Sequence, residues 1–269
     1  MNTHIRQIAV VAGLALGSVS AQAQVATAWN GSGTLAWSQL AVETLNIGNM
    51  KVSSFGDTVS YPAVELDNTY SSIAVGIAST GAQWLPAVGT PNQLLSWQTA
   101  GGFRIDAPPV LGVSGGGSVT VSNLDVNFAS GQVSATVLAG DSGTSTRGVI
   151  WTFNSNQVQV TNDTTPQAVG MGPYYYDVSV AIPVLSLTSA GKNLLKSGLA
   201  LDFLGSYPLE AVADNYASLT LNGTLPAFMP NFQVTVVPEP ATWALMGLGL
   251  VGLAGLRRAR SRQACTASV

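Results

Sequence analysis

The chain has 269 residues, of which 9% are charged and 46% are hydrophobic, and it contains 29 glycines. This composition is unusual for a cytosolic enzyme and is typical of an extracellular β-rich domain. Residues 24–237 contain five basic and twelve acidic side chains, which gives a net charge of -7. That balance argues against a nucleic-acid partner, because phosphate binding needs clustered Lys and Arg.

The first 23 residues have the pattern of a signal peptide. Arg6 gives a basic start, an apolar run follows, and Ala21 and Ala23 supply the small residues of a cleavage site. We therefore predict export, with signal cleavage at Ala21 and Ala23, which leaves a β-rich extracytoplasmic body over residues 24–236. The alternative for this segment is a buried first helix.

The body alternates apolar and polar residues with the period of β-strands. In Ser118–Phe128 the apolar positions shift by one residue near Ser122-Asn123, which predicts a β-bulge. A short turn at Ala129–Gly131 and a second alternating run at Val133–Val137 complete a predicted hairpin. The other predicted strands are Thr34–Val42, Ser71–Ala78, Gly148–Phe153, Gln157–Thr161, Tyr176–Leu187, Leu199–Leu204, Tyr216–Leu221 and Phe232–Val237.

Many short strands separated by Gly, Asn, Asp and Pro predict a mainly β fold, either an antiparallel β-sandwich or a barrel-like body. One short helix interrupts them at Thr188–Gly198, with Thr188 as its N-cap and Gly198 ending it in a left-handed turn. Lys192 and Lys196 would share one face of that helix. The Gly-rich segment Ser114–Ser118 is interpreted as a long loop, and a linker between two domains is the alternative.

The aromatic residues of the body permit two interpretations. Tyr174, Tyr175 and Tyr176 are predicted ligand-facing residues, because three consecutive tyrosines in a strand must point to both faces and leave at least one exposed. Exposed aromatic rings could stack on sugars, whereas buried ones fill a core, which is the interpretation we favour for the tryptophans. The tryptophans of the body are Trp29, Trp37, Trp84, Trp97 and Trp151.

The C-terminal end has three parts in a fixed order, spanning residues 237–262. Pro238, Glu239 and Pro240 cannot continue a strand ladder or a helix, so the backbone there stays extended and accessible. Residues 241–256 are uncharged, and as a helix they would span about 24 Å, slightly less than the roughly 30 Å hydrocarbon core. The basic residues that follow are Arg257, Arg258, Arg260 and Arg262.

This order predicts a C-terminal transmembrane helix over residues 241–256. Arginines that follow an apolar span stay in the cytoplasm. The arginine cluster of residues 257–262 would therefore stop the chain at the inner membrane and hold the body outside it. An ordinary single-pass anchor behind a proline-rich stalk is one explanation of the pattern.

The tail resembles the PEP-CTERM sorting signal of Gram-negative bacteria, with Pro238–Pro240 as the motif, 241–256 as the span and 257–262 as the basic cluster. In that family an exosortase, a membrane-embedded transpeptidase, is thought to recognise the motif and process the tail. Members are associated with exopolysaccharide and biofilm. The resemblance therefore implies an exosortase partner and a tethered precursor that later reaches the cell surface or extracellular matrix.

The body lacks the usual nucleophilic and metal-binding side chains. His4 is the only histidine and Cys265 the only cysteine, and both lie outside residues 24–237. Ser-His-Asp, Cys-His and imidazole metal sites are therefore not expected, and no cofactor is predicted. Calcium is the exception left open, because the acidic loops Glu65–Asp67 and Asp141–Thr146 offer oxygen ligands.

The sequence therefore favours a secreted, non-enzymatic protein of the cell surface or exopolysaccharide matrix, sorted and processed through its C-terminal motif. One alternative is a carbohydrate-binding module that uses exposed Trp or Tyr. A second is a carboxylate-only hydrolase, which needs two acids roughly 5–10 Å apart in one cleft.

Overall fold

The computed structural model describes residues 25–27, 30–56, 64–66, 69–85, 92–140, 144–162, 167–168, 174–226 and 232–233. The strands are β1 (Val25–Thr27), β2 (Asn30–Trp37), β3 (Lys51–Phe55), β4 (Val64–Leu66), β5 (Thr69–Ser72), β6 (Ala74–Leu85), β7 (Asn92–Ala100), β8 (Gly102–Ala107), β9 (Gly117–Asn127), β10 (Gln132–Ala139), β11 (Ser145–Thr152), β12 (Gln159–Asn162), β13 (Gln167–Ala168), β14 (Tyr174–Leu187), β15 (Ala217–Pro226) and β16 (Phe232–Gln233). The α-helices are α1 (Gln39–Ile47), α2 (Ser189–Gly198) and α3 (Phe203–Val212).

Eight of these strands close into an antiparallel barrel. Their order is β7, β6, β2, β15, β14, β11, β10 and β9, and β9 pairs back onto β7. The closing contact is short, from Ser96↔Asn127 to Gln98↔Asp125. At Gly101, whose φ is 75°, the chain leaves β7 and continues as β8 along the first half of β9. The mainly β prediction is confirmed, and of the two expected architectures the chain forms the barrel.

The inside of the barrel is filled by apolar side chains from successive strands. Leu35, Trp97, Val126, Val180 and Leu219 are all fully buried. An eight-stranded barrel has an interior just wide enough for side chains to fill, and burying each such side chain contributes about 1.5–3 kcal/mol. The interior is therefore a packed core, and ligand chemistry has to be sought on the outer surface.

All three described helices lie at one end of the barrel. Helix α1 follows β2, α2 follows β14, and α3 precedes β15. The strand ends that they join are neighbours, because Ala217 pairs with Trp37 on one side and Leu185 on the other. Helix α1 packs against α3, and α2 packs against β9, β10 and β11. We call this end of the barrel the helix end.

The predicted β9–β10 hairpin and its bulge are confirmed. Ser134 pairs with Asp125 but Thr136 pairs with Ser122, so β9 has one extra residue opposite Ala135. Asn123 takes the left-handed conformation, with a φ of 52°. The one-residue shift in the sequence pattern was therefore a direct signal of the bulge.

Two predicted strands are wrong in part, and the prediction of a single helix is wrong. The run Thr34–Val42 stays extended only to Trp37, because the Ser38 hydroxyl accepts a bond from the Ala41 N–H (3.2 Å) and starts α1. The run Leu199–Leu204 has only an isolated bridge, Leu201 with Ser114, before α3 begins. Helices α1 and α3 each bury one apolar face against the end of the barrel. This burial stabilises the helical conformation over the strand that the sequence pattern predicted.

The predicted helix at Thr188–Gly198 is confirmed, since the Thr188 hydroxyl caps α2 by accepting a bond from the Gly191 N–H (2.9 Å). The predicted role of Gly198 is wrong, because the left-handed residue is Ala200, with a φ of 47°. Gly198 is needed for close packing, since a Cβ there would lie 2.3 Å from Cγ2 of Val119.

The Gly-rich segment Ser114–Ser118 is a loop within one sheet. It joins β8 to β9, and these two strands pair with each other from Gly102↔Ser122 to Ala107↔Gly117. The buried Ser114 hydroxyl donates to the Leu199 carbonyl oxygen at 2.7 Å and holds the loop against the end of α2. The interpretation as a loop is therefore confirmed over the linker alternative.

Candidate functional site

Both ends of the described chain lie at the barrel end opposite the helices. Near the N-terminus, β1 pairs with the end of β6, with Val25 opposite Trp84. Near the C-terminus, β16 pairs in parallel with the start of β7, with Gln233 opposite Gln93. Strands β6 and β7 adjoin here, since Gln93 also pairs with Leu85. We call this end of the barrel the tail end.

The tail end and the helix end are separated by the length of a strand. Strand β6 has 12 residues and runs from Ala74, beside the helix end, to Leu85 at the tail end. Twelve residues of strand extend roughly 35–40 Å. Gln233, at this end, is the last described residue of the chain, and the segment that follows it starts at residue 234. The C-terminal segment therefore begins at the tail end.

The predicted sorting, stop and cleavage residues lie outside the described residues. They are Ala21, Ala23, Pro238, Glu239, Pro240, Arg257, Arg258, Arg260 and Arg262. The predicted transmembrane helix at 241–256 also lies outside them.

Within the described part of the chain, none of the helices has both the length and the apolar character needed to cross a membrane.

The three predicted ligand-facing tyrosines begin β14. The backbones of Tyr174 and Tyr175 pair with Ala168 and Gln167, and on the other side Tyr175 and Tyr176 pair with Pro226 and Leu225. Their side chains are outside the described set, so their predicted role as ligand-facing residues stays a prediction.

The described tryptophans belong to the core. Trp37, Trp97 and Trp151 are 6%, 0% and 1% exposed. Phe103 links two of them, with its ring centroid 4.8 Å from that of Trp37 and 6.4 Å from that of Trp151. The core interpretation is confirmed for these three, while the side chains of Trp29 and Trp84 lie outside the described residues.

Three carboxylates of the described surface, those of Asp106, Asp125 and Glu210, pair with cations. Oδ1 of Asp106 lies 2.8 Å from Nε of Arg104, and Oδ2 of Asp125 lies 3.6 Å from Nη2 of Arg147. Such carboxylates are structural partners of a cation, and a hydrolytic site needs a carboxylate facing a second carboxylate.

Glu210 on α3 has the strongest of these cation contacts. Its two carboxylate oxygens lie 2.6 Å from Nζ of Lys192 and 2.5 Å from Nζ of Lys196, both on α2. Hydrogen bonds from these two ammonium groups lower the pKa of Glu210 from 4.5 to about 2. The predicted shared face of Lys192 and Lys196 is confirmed, and it joins α2 to α3.

Metal-binding potential can be assessed only for the described side chains. Among them, His, Cys, Asp and Glu form no group of three or more that could hold an ion. The side chains of Glu65, Asp67 and Asp141 lie outside the described set, so the calcium hypothesis for both acidic loops stays a prediction.

A polar groove of about 730 Å³ lies on the outer surface at the helix end. Lys51, Arg104, Asp106 and Ser118 are among its lining residues. The pairing of β3 with β8 places Lys51 opposite Asp106, and Lys51 also lies over the Tyr70 ring at 5.4 Å. Sequence analysis missed this groove, because these residues meet only through a strand pairing that spans about fifty positions.

The fold defines the chain as an antiparallel β-barrel protein with an apolar core. Comparison with known families adds that residues 236–259 match the model of the PEP-CTERM protein-sorting motif. Neither a search of curated proteins nor a search of solved structures finds a match. The protein is thus a β-barrel protein that carries a PEP-CTERM sorting motif.

The motif implies a route for the chain. It implies processing by exosortase, a membrane enzyme, and a membrane-anchored precursor that is exported and sorted to the cell surface. The matched residues overlap the 237–262 segment that the sequence singled out.

Proposed function

We propose that the barrel is the non-enzymatic cargo of its own sorting tail, delivered to the cell surface or the exopolysaccharide matrix. The observation that carries this proposal is the PEP-CTERM sorting motif at residues 236–259, which begins three residues beyond β16. The tail is the substrate of exosortase, and the chemistry of sorting belongs to that enzyme. The barrel contributes a stable, packed body.

The arrangement at the tail end is consistent with that role. The motif Pro238-Glu239-Pro240 follows Gln233 of β16 closely in the sequence, and prolines are disfavoured inside strands and helices. We therefore expect the motif to be accessible to exosortase. Strand β16 ends at Gln233, before the motif. Cleavage at or beyond the motif would therefore leave the described strands of the sheet intact.

The two alternatives have less support. The carbohydrate-binding module needs an exposed aromatic platform, and the described tryptophans are buried, which leaves Tyr174–Tyr176, Trp29 and Trp84 as candidates. The carboxylate-only hydrolase needs two facing acids, and Asp106, Asp125 and Glu210 face cations.

The direct test is to replace Pro238-Glu239-Pro240 with Ala-Ala-Ala in the native host and to follow the mass and location of the product. We expect the variant to accumulate as a membrane-held form that is heavier than the mature protein. The control is Glu43→Ala, which removes an exposed carboxylate on α1 at the opposite end of the barrel. An unchanged mature mass and location in the triple variant would refute the proposal.

A further inference from the structure

The helix end exposes a group of large apolar side chains. Leu111, Phe203, Leu204 and Tyr207 are 101%, 79%, 55% and 71% exposed. The Leu204 N–H donates to the Gly112 carbonyl oxygen at 3.1 Å, which holds the turn containing Leu111 against the start of α3. Phe203 and Tyr207 are four residues apart on α3 and therefore share a face. We call these four residues the α3 patch.

The α3 patch lies at the upper end of the range of apolar patches that soluble monomers expose. A large aromatic side chain presents on the order of 200 Å² and a leucine less, so the two aromatic and two leucine side chains together present on the order of 500 Å² of mostly apolar area. Contiguous apolar patches of a few hundred Å² mark interaction sites in soluble proteins. One side of a standard protein–protein interface buries about 800 Å². Leu40 on the neighbouring α1, which is 56% exposed, adds to the available area.

The position of the patch indicates what covers it. The sorting tail leaves from the tail end, about one strand length away, so a tethered barrel would hold the α3 patch away from its own membrane. The carboxylate next to the patch is already paired within the chain, since Glu210 on α3 contacts Lys192 and Lys196, and this group of three side chains carries a net charge of +1. The apolar side chains of the patch can pack against the same side chains of a second copy, and such self-complementarity is the requirement for a two-fold interface between identical chains.

We propose that the α3 patch is a self-association surface, through which two copies of this chain pack helix end against helix end about a two-fold axis. In this dimer the two tail ends point in opposite directions, roughly two barrel lengths apart. The two tails cannot then enter one membrane. If the proposed function holds, the dimer joins released copies or copies held on facing surfaces.

Cysteine cross-linking tests this geometry, because residues 24–237 contain no cysteine. In a Cys265→Ser background, Tyr207→Cys should give a disulfide-linked product of twice the monomer mass. Ser130→Cys is the matched control, since Ser130 is exposed in the β9–β10 turn at the tail end. Cross-linking of Ser130→Cys that equals or exceeds that of Tyr207→Cys would overturn the proposal.

Sedimentation of the protein purified from its host gives a second test that does not depend on tail processing. We expect the parent chain to be dimeric and both Phe203→Asp and Tyr207→Asp to be folded monomers, because these side chains are exposed on the single chain. Phe55→Asp, 44% exposed on β3, should stay dimeric. A monomeric parent, or a dimer that survives both α3 substitutions, would contradict the proposal. Dimers that disappear when residues 241–269 are absent would also contradict it, because the tail, and not a second α3 patch, would then cover the surface.

Discussion

The indole ring of Trp97 lies directly on the backbone of Gly33 inside the barrel. A Cβ added at residue 33 would be 2.3 Å from Cη2 of Trp97, closer than any real contact of a Cβ atom. Gly33 is on β2 and Trp97 is on β7, and β6 lies between these strands in the sheet. The indole therefore fills the space that a side chain on β2 would need, and the two residues jointly set the local width of the core.

Gly33→Ala should therefore destabilise the barrel. The buried indole of Trp97 has to move to make room for the methyl group, and overpacking of this kind costs about 1–3 kcal/mol. Chemical denaturation of the purified protein measures the change in the free energy of unfolding.

Gly148→Ala is the matched control for that substitution. Gly148 is also a strand glycine, on β11, but a Cβ there would meet nothing within 4 Å. Alanine in a strand at such a position should be neutral or stabilising by about 0.5–1 kcal/mol. If Gly33→Ala had the same free energy of unfolding as Gly148→Ala, the indole of Trp97 would not pack closely against Gly33.

Glu210 should make stability depend on pH in the acid range. The two lysines lower its pKa in the folded state from 4.5 to about 2. Because the pKa is lower in the folded state, the contribution of Glu210 to the free energy of unfolding is complete above about pH 4.5. It is lost as the pH falls through about 2. Glu210→Gln should melt below the parent at neutral pH, and the difference should shrink towards pH 2.

The control for Glu210 is Glu43→Gln, which alters an exposed carboxylate on α1 that has no ion pair within the described residues. Its melting temperature should follow that of the parent across the same range. Parallel curves for Glu210→Gln and the parent would exclude a folded-state contact between α3 and the two lysines.

Tyr216 should make stability depend on pH in the alkaline range as well, with stability falling as the pH rises. Burial raises the pKa of Tyr216 to about 12 from 10.0. The neutral phenol is therefore favoured in the folded state, and its contribution is complete below pH 10 and is lost as the pH rises towards 12. The loss of stability between these values should be smaller in Tyr216→Phe, as followed by denaturant midpoints. An identical alkaline loss in both proteins would contradict the burial of Tyr216.

Thr188 should stabilise α2 through its cap. Its hydroxyl accepts a bond from the Gly191 N–H at 2.9 Å and donates to the Val149 carbonyl oxygen at 2.7 Å. Thr188→Ala removes both bonds and should lower the free energy of unfolding by about 1–2 kcal/mol. Thr188→Ser, the matched control, keeps the hydroxyl and should lose much less. Equal losses would show that the methyl group, and not the cap, is responsible.

The sequence alone predicted those features of the fold that depend on neighbouring residues. The β9–β10 hairpin was visible in the alternation around Ser122-Asn123, and the α2 cap was visible at Thr188. Helix α1 was missed because the alternating run that ends at Trp37 continued into it, although Ser38 and the spacing of Ala41, Val42 and Leu45 are typical of a helix start. Gly205 and Pro208 disfavoured α3, which is stabilised by packing of Leu209 and Val212 at the helix end.

Features that depend on distant residues were not predictable in the same way. Barrel closure rests on Trp97↔Val126, and the polar groove rests on Lys51↔Asp106, and neither pairing has a local signature. The α3 patch was not visible either, because exposure of Phe203 and Tyr207 depends on which face of α3 the barrel covers. The sorting motif was predictable because it is a linear signal, read in the order motif, span and basic cluster.

The most direct test of the central claim is the intact mass of the form that leaves the membrane in the native host. If the barrel is cargo processed through its tail, this form lacks the apolar span 241–256 and everything after it, and its C-terminus lies beyond Gln233 at the tail end. A released protein whose mass still includes residues 241–256 would contradict the account.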